Sequence, residues 1–333
     1  MVNNILIFRT DRIGDLLITC PAVLAIKKYL KNSRITLITS IKNHDYAKSL
    51  DFFDYVTKFP ENNFVEKIKF IMNLSKKKYD YVLVLDGKDR SLISSIFLRS
   101  KNKVGVISKS RINFFWKIFN IKFIEDDETT DLIKIYQDSL KCSNIHTDIT
   151  NFDCLKHKKD NGFSQNISIK DFILIHLDEK WFNEFYIENY TNINPQYEEF
   201  INFLNEISKV NNILITTGIN DLELINRLKN KFFEKISDKI FIKKNLNKLI
   251  YLIYKPSFDD IESLLRNSKI LISCHGAITH ASNSFNVIKV DILEKSKLSF
   301  YKRFSSYLNN YHPIFRTNFD ILKKEIYQKV LKS

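Results

Sequence analysis

The sequence has few of the residues that define small disulfide-bonded or zinc-stabilised folds. Its 333 residues include only four cysteines, six glycines and five prolines. The cysteines lie far apart and form no C-x-x-C pair, which excludes the usual zinc spacings and suits a reducing compartment. The cysteines are Cys20, Cys142, Cys154 and Cys274.

Long apolar runs are also absent. No uninterrupted apolar stretch approaches the roughly 20 residues that a helix needs to span a bilayer. The chain enters a strand almost at once, without the basic, apolar and small-residue regions of a secretory leader, so we expect a cytoplasmic protein. The length, with 44% hydrophobic residues, allows two domains with a core each.

Basic residues outnumber acidic ones, and the formal net charge is +14. Abundant Ile, Lys, Asn and Phe are typical of an AT-rich genome, so part of the lysine content reflects mutation. The charge attracts anionic partners whatever its origin. Because the sequence contains no RNA-recognition signature and no zinc finger, we favour the anionic inner membrane surface over a specific nucleic acid.

Residues Asn4 to Lys31 predict a buried strand, a polar turn and a helix. The strand covers Ile5 to Phe8, which is short, apolar and rich in β-branched residues. Gly14 follows, and its missing Cβ allows a positive φ and a close approach of a ligand to the backbone. Asp15 falls at the opening of the helix, as a cap or as a functional carboxylate, and Pro21 limits how regular that helix can be.

This stretch resembles the N-terminal signature of glycosyltransferase family nine, the heptosyltransferase-like enzymes. The family pattern is a strand, R-x-D-x-x-G-D and a helix that contains proline, and it is matched by Arg9, Asp11, Gly14, Asp15 and Pro21. The resemblance implies the GT-B fold, in which two doubly wound Rossmann-like α/β domains with parallel sheets face each other across a cleft. It also implies an inverting, metal-independent sugar transfer with Asp15 as the catalytic base.

Both halves of the chain alternate strand and helix patterns. A charged stretch without periodicity, Asp148 to Ser168, separates them. We therefore predict a Rossmann-like domain of residues 1–160 that binds the acceptor and another of residues 161–333 that binds the nucleotide sugar. The last strand is predicted at Val287 to Ile292, and the terminal helix, Lys323 to Lys332, could pack back on the N-terminal domain.

Loops that follow predicted strands supply the binding candidates, since open α/β sheets bind ligands at the carboxyl ends of parallel strands. In the first half, the polar loop Asp86 to Arg90 follows the strongest strand. In the second half, FILIHLDEKWF resembles the family's strand and Lys-Trp region, in which a lysine reaches the donor diphosphate. Lys180 is the matching lysine, and His176 stands at the strand end as a ligand contact or a core histidine. Thr217 and Gly218 end the next strand.

A second loop, ISCHGAITHASNSF, resembles the family's D-[ST]-G-x-x-H segment, where backbone amides at a helix N-terminus hold phosphates. The acid before the glycine is absent, and Cys274 and His275 stand in its place. His280 comes four residues after Gly276 instead of three. We assign His275, Gly276, Ala277 and His280 to donor binding, and no third ligand that would make the two histidines a metal site is evident.

Sugar transfer needs a base for the acceptor hydroxyl and positive charge or amide donors for the departing diphosphate. Asp15 supplies the base, and Asp11 is the alternative. Lys180, Gly276 and Ala277 supply the second requirement. No D-x-D motif suggests a metal-bridged diphosphate, so we expect no metal and no cofactor beyond the nucleotide-sugar donor.

We therefore predict an enzyme that transfers a sugar, heptose from ADP-heptose, onto a lipopolysaccharide core or another surface glycan. Its expected partners are a nucleotide sugar, a glycolipid or oligosaccharide acceptor, and the anionic inner face of the cytoplasmic membrane. The alternatives are a UDP- or GDP-sugar transferase, a nucleotide-sugar epimerase, or a non-catalytic basic α/β protein. The segment Lys295 to Arg316 interleaves bases with aromatics, which fits lipid head groups, the acceptor or a solvated, loosely helical excursion.

Overall fold

A computed structural model describes the chain over residues 2–61, 63–111, 121–182 and 189–332. The chain divides into two compact units, which are Met1–Lys158 with Lys302–Tyr307, and Lys159–Tyr301 with Leu308–Ser333. Each unit is built on its own sheet, so the α/β class predicted from the alternating pattern is confirmed.

In the first unit, the described residues form six parallel strands in the order β3-β2-β1-β4-β5-β6. The strands are β1 (Asn3–Arg9), β2 (Ser33–Thr39), β3 (Tyr55–Lys58), β4 (Lys78–Val84), β5 (Arg99–Ser108) and β6 (Lys122–Asp126). The helices are α1 (Ile13–Tyr29), α2 (His44–Lys48), α3 (Phe64–Ser75), α4 (Asp89–Ile96) and α5 (Leu132–Cys142). The direction of winding reverses between β1 and β4, which makes that pair the switch point of the sheet.

In the second unit, the described residues form an eight-stranded sheet in the order β14-β13-β12-β7-β8-β11-β10-β9. The strands are β7 (Phe172–Leu177), β8 (Ile213–Thr217), β9 (Glu234–Lys235), β10 (Ile240–Asn245), β11 (Lys248–Ile253), β12 (Ser268–Cys274), β13 (Ile288–Leu293) and β14 (Tyr311–Phe315). The helices are α6 (Tyr197–Ser208), α7 (Glu223–Lys231), α8 (Phe258–Leu265), α9 (Ala277–Ala281), α10 (Leu298–Ser305, which crosses the division between the units) and α11 (Phe319–Leu331). The switch point here lies between β7 and β12.

The central strands have the burial that their apolar runs predict. Ile5 to Phe8 of β1 and all of β7 are buried, because helices cover both faces of a parallel sheet. The edge beyond β11 departs from the parallel pattern, since β10 runs antiparallel to both β11 and β9. The parallel, doubly wound part of the second sheet therefore extends from β14 to β11, and β10 and β9 lie outside it.

Gly14 lies in the first turn of α1, and among the described glycines only Gly87 and Gly162 have a positive φ. Gly14 therefore does not use the positive φ that its missing Cβ allows. The helix also continues through Pro21 without interruption, while Asp15 does occupy its first turn.

The segment from Lys295 to Arg316 forms a short 3₁₀ turn, α10 and β14, so the alternative of a solvated, loosely helical excursion is wrong. β14 pairs parallel with β13, which means that β13 is not the last strand. α11 packs within the second unit, where Phe319 and Leu322 join the core under α6. Across the described residues, no helix is both long enough and apolar enough to cross a membrane.

One lysine of β13 is buried and is held by backbone carbonyls. Lys289 is 1% exposed, and its Nζ donates to the carbonyls of Val287 at 3.0 Å and Asn309 at 2.7 Å. Burial lowers the pKa of Lys289 from 10.5 to about 8, since two carbonyls do not replace the hydration of an ammonium group.

This lysine predicts a rise of stability in alkaline buffer. Between the folded pKa and the unfolded value of 10.5 the unfolded chain binds the extra proton, so the free energy of unfolding increases with pH. We expect a gain of about 1–2 kcal/mol between roughly pH 7 and pH 9.5, measured by denaturant unfolding, that Lys289→Met lacks. Parallel pH profiles for the two proteins would contradict this prediction. The two proteins are compared by the slope of the free energy of unfolding against pH. Its absolute value also falls in the variant, because two carbonyls lose their hydrogen-bond donor.

Candidate functional site

The carboxyl ends of β1 and β4 form the first candidate site. β1 leads into Thr10 and Asp11, and β4 leads into Asp86 and Lys88. One oxygen of Asp86 accepts hydrogen bonds from the amide of Thr10 at 3.1 Å, from its hydroxyl at 2.6 Å and from the hydroxyl of Ser91 at 2.7 Å. Asp86 therefore ties the two loops together at the switch point.

Arg9 is the buried centre of this site, with 4% of its surface exposed. Its Nε donates to the carbonyl of Asp15 at 3.0 Å, its Nη1 donates to the carbonyl of Leu85, and its guanidinium lies 5.8 Å from the centre of the Tyr136 ring. Burial alone would lower the pKa of Arg9, but Tyr136 and the surrounding carboxylates raise it overall. Arg9 is thus a permanent positive charge that fixes the start of α1 against the end of β4.

The two candidate bases are held differently. Asp11 is 2.6 Å from the Nζ of Lys88 and 3.5 Å from Arg9, and its side chain is 16% exposed. Asp15 is 31% exposed and lies 3.6 Å from Arg9, while its Oδ2 accepts a hydrogen bond from the amide of Arg12 at 3.2 Å. Asp15 is therefore the more accessible and the less neutralised carboxylate of the two.

A cavity of about 590 Å³ opens at these carboxylates. Its walls carry both signs of charge, because Lys88 and Arg90 donate to the carbonyl of Thr10 at 2.8 and 2.9 Å beside the acids. The lining residues are Thr10, Asp11, Arg12, Asp15, Ser40, Lys42, Glu61, Lys88 and Arg90. Sequence reasoning identified the polar loop of β4 but not Lys42 or Glu61, which reach the cavity only through the strand order β3-β2-β1-β4.

The carboxyl ends of β7 and β12 form the second candidate site. β7 leads into Asp178 and Lys180, and β12 leads into His275 and Gly276. The Nζ of Lys180 donates to the carbonyl of His275 at 3.0 Å and pairs with Asp178 at 3.2 Å. A Cβ on Gly276 would overlap the Nζ of Lys180, so the glycine allows the lysine to lie across the turn.

His176 and Trp181 support the loop that carries this lysine. Trp181 is fully buried, and its Nε1 donates to the carbonyl of His176 at 2.9 Å. The Nδ1 of His176 is hydrogen-bonded to the hydroxyl of Thr216 at 3.0 Å, and its Nε2 lies 3.7 Å from Asp178. Burial lowers the pKa of His176, so the neutral ring is favoured at this position.

A buried carboxylate of β13 orients His275. The Oδ2 of Asp291 is 2.6 Å from the Nδ1 of His275 and accepts a hydrogen bond from the hydroxyl of Tyr311 at 2.8 Å. Its Oδ1 accepts a hydrogen bond from Thr279 at 3.0 Å. Asp291 is 1% exposed, and it becomes a neighbour of the His275 turn because Ser273 pairs with it across the sheet. Sequence reasoning did not select Asp291.

His280 meets the ring of His275 edge-on, with 5.0 Å between the ring centres. Burial, with the charges of His275 and Lys180, lowers the pKa of His280 well below its usual value. Within the described residues, no three side chains among His, Cys, Asp and Glu are grouped so that they could hold a metal ion.

Arg316, directly after β14, is a buried cation that sequence reasoning also missed. It is 4% exposed, and its Nε donates to the carbonyl of Thr191 at 2.8 Å. Its Nη1 is 3.6 Å from the Sγ of Cys274, and burial raises the pKa of that thiol, which therefore stays neutral. In the described part of the chain, Nη2 of Arg316 is buried and has no hydrogen-bond partner.

The remaining predicted residues border the same turns. The hydroxyl of Thr217 accepts a hydrogen bond from the amide of Lys255 at 2.8 Å. A Cβ on Gly218 would lie 2.8 Å from the Glu179 carboxylate, so only glycine fits there without a shift. Ala277 begins α9. The structure therefore gathers the predicted residues around two switch points: Arg9, Asp11, Gly14 and Asp15 at the first, and His176, Lys180, Thr217, Gly218, His275, Gly276, Ala277 and His280 at the second.

Two doubly wound units, each with its polar loops at the switch point, define the GT-B class of folds. Searches of solved structures find the same fold in the glycosyl transferase family 9 protein of Veillonella parvula, at a TM-score of 0.66 and 15% identity, covering 98% of this chain and 89% of that one. The E. coli heptosyltransferase WaaC with ADP gives a TM-score of 0.67 at 13% identity, covering 98% and 99% of the two chains.

A UDP-GlcNAc 2-epimerase from Methanocaldococcus jannaschii is also similar, at a TM-score of 0.57 and 14% identity, covering 100% of this chain and 92% of that one. No protein-family model matches the sequence, and no curated protein sequence matches it either. At these identities the similarity establishes the fold. The GT-B fold implied by the N-terminal motif is therefore confirmed.

Proposed function

We propose that this protein is an inverting, metal-independent glycosyltransferase. One observation carries the proposal: the switch point of the first unit holds a half-buried, solvent-accessible carboxylate beside a buried arginine, and that of the second holds a lysine across a glycine turn. Sugar transfer needs a base for the acceptor and cationic or amide groups for the diphosphate, and these two sites supply them. The similarity to a heptosyltransferase solved with ADP supports a nucleotide sugar as the donor.

In the proposed reaction, Asp15 accepts the proton of the acceptor hydroxyl as its oxygen attacks the anomeric carbon. The bond from that carbon to the diphosphate breaks on the opposite face, and its electron pair leaves with the nucleoside diphosphate. Lys180 and the amides of Gly276 and Ala277 stabilise the growing negative charge. Configuration at the anomeric carbon is inverted, and Asp11 is the alternative base.

His275 and Arg316 extend this leaving-group site. Asp291 engages the Nδ1 of His275, which leaves Nε2 for a hydrogen bond to the donor. Arg316 adds a charge behind the same turn, where the neutral thiol of Cys274 does not offset it. Where the family has an acid at this turn, this chain has His275. The carboxylate that orients His275 is Asp291 on the neighbouring strand β13.

The donor we propose is ADP-heptose, and the acceptor is a lipopolysaccharide core or another surface glycan at the inner face of the cytoplasmic membrane. The cations Lys42, Lys88 and Arg90 in the first cavity suit an acceptor that is rich in hydroxyl or acidic groups. A UDP- or GDP-sugar donor is the alternative. The similarity to a UDP-GlcNAc 2-epimerase favours an epimerase as second candidate, and turnover of the donor without acceptor distinguishes it.

A thermal-shift panel tests the donor class. We expect one class among ADP-, UDP-, GDP- and CMP-sugars to raise the Tm of the purified protein, because a ligand at a hundred times its Kd adds about 2.7 kcal/mol to the free energy of unfolding. The same class should give nucleoside diphosphate release when an acceptor is added. A protein that no nucleotide sugar stabilises, and that binds bulk nucleic acid with a steep salt dependence, would instead be the non-catalytic basic protein.

A further inference from the structure

Helix α3 exposes a row of apolar side chains. Phe64 is 75% exposed, Val65 55%, Ile68 42% and Met72 56%, and these positions repeat at the spacing of one helical face. Burying such side chains is favourable by roughly 1.5–3 kcal/mol each, so a contiguous row that remains in water is a costly feature.

The exposed row is not the face that holds α3 on the unit. Leu74 and Phe70 pack against the core of the first sheet, and the ring of Phe70 contacts that of Phe59 with 5.5 Å between centres. At about 100° per residue, Phe70 and Leu74 lie well over a right angle around the helix from Ile68. The helix therefore has one apolar face for the core and a second that the described structure leaves uncovered.

Lysines flank this second face. Residues 58 to 78 contain six lysines and two glutamates. The exposed lysines on or beside the helix are Lys58, Lys69, Lys76, Lys77 and Lys78, and Lys67 is half-buried. α4, whose Leu92 joins the same core, leaves Ile93 exposed at 43%, and Phe97, directly after this helix, is 59% exposed.

The N-terminus of α3 adjoins the first candidate site. The loop between β3 and α3 contains Glu61, which lines the cavity of Asp11 and Asp15, and Phe64 follows three residues later. A surface that covers α3 would therefore lie next to the opening where an acceptor is proposed to bind.

We propose that the exposed face of α3, with its flanking lysines, docks on an anionic lipid bilayer. Apolar side chains that enter the interface, with lysines at the head groups, are the two components of interfacial helix binding. A second copy of this chain would bring the same lysines together, and a nucleic acid backbone would leave the apolar row in water. The proposal does not depend on the sugar-transfer chemistry.

Vesicle co-sedimentation tests the docking surface with the full-length protein and no nucleotide sugar. Wild type is expected to bind phosphatidylcholine vesicles that contain phosphatidylglycerol, and to bind pure phosphatidylcholine weakly. The triple variant Phe64→Ser, Ile68→Ser, Met72→Ser should lose about tenfold in vesicle affinity, and replacing Lys69, Lys76 and Lys77 by Gln should weaken the response to salt.

The matched control is Ile219→Ser, Ile236→Ser, Leu246→Ser, which removes three exposed apolar side chains elsewhere and should bind as wild type. Equal loss in this control, or unchanged binding of the α3 variant, would overturn the proposal. So would a wild-type dimer that the α3 substitutions convert to a monomer without any vesicle binding. Thermal melting of each variant verifies that its fold is kept, and the vesicle result is read separately from the nucleotide thermal-shift panel.

Discussion

Asp15→Asn is expected to lower the kcat for sugar transfer by about 10³-fold, the loss that follows removal of a positioned general base. The amide keeps the size of the side chain and can still accept a hydrogen bond from the amide of Arg12. Binding of the nucleotide sugar should be unchanged, because the residues proposed to bind the donor lie in the other unit. Coupled detection of nucleoside diphosphate release, with the acceptor varied, measures the loss.

Two variants control this result. Asp11→Asn should reduce kcat less than tenfold if Asp11 mainly anchors Lys88, whereas a larger loss at Asp11 than at Asp15 would make Asp11 the base. Asp45→Asn removes an acid from the first turn of α2. Like Asp15→Asn, it removes the stabilisation of a helix N-terminus by a negative charge, roughly 0.3–1 kcal/mol, but it should leave kcat unchanged.

The sequence predicts the switch points well because their strands are continuous apolar runs. β1 and β7 are buried on both faces, so their residues had to be apolar, and the polar residues that follow them mark the carboxyl ends. The edge strands lack this signal. β6 is only partly buried, and β14 contains Pro313, which an edge strand tolerates because one side of its backbone has no partner strand among the described residues.

The partners of the candidate residues depend on strand pairing, which a single sequence does not reveal. Asp291 reaches His275 only because β13 pairs beside β12 in the register that aligns it with Ser273. Arg316 reaches Cys274 because it directly follows β14, which pairs with the other edge of β13. The motif identified the turn, and the neighbouring strands supply the charges that support it.

A Cβ on Gly276 would overlap the Nζ of Lys180, so we expect substitutions at these two positions to have strong and non-additive effects on donor binding. Lys180→Met should lower the affinity for the nucleotide sugar about 10- to 100-fold, the loss expected when a charged hydrogen-bond donor is removed. Gly276→Ala should lower that affinity about tenfold, because the new Cβ drives the Nζ of Lys180 away from the carbonyl of His275. Titration of donor analogues by calorimetry gives both values.

In the Lys180→Met background, Gly276→Ala should have almost no further effect. Methionine ends where the Cε of Lys180 lies, 3.8 Å from the position that a Cβ on residue 276 would occupy, so the clash disappears together with the charge. Lys209→Met, which removes an exposed lysine paired with Glu206 on α6, controls for the loss of charge alone and should bind the donor as wild type. Additive losses in the double variant would show that Gly276 acts on the donor without Lys180, because coupled residues in contact are the ones that depart from additivity.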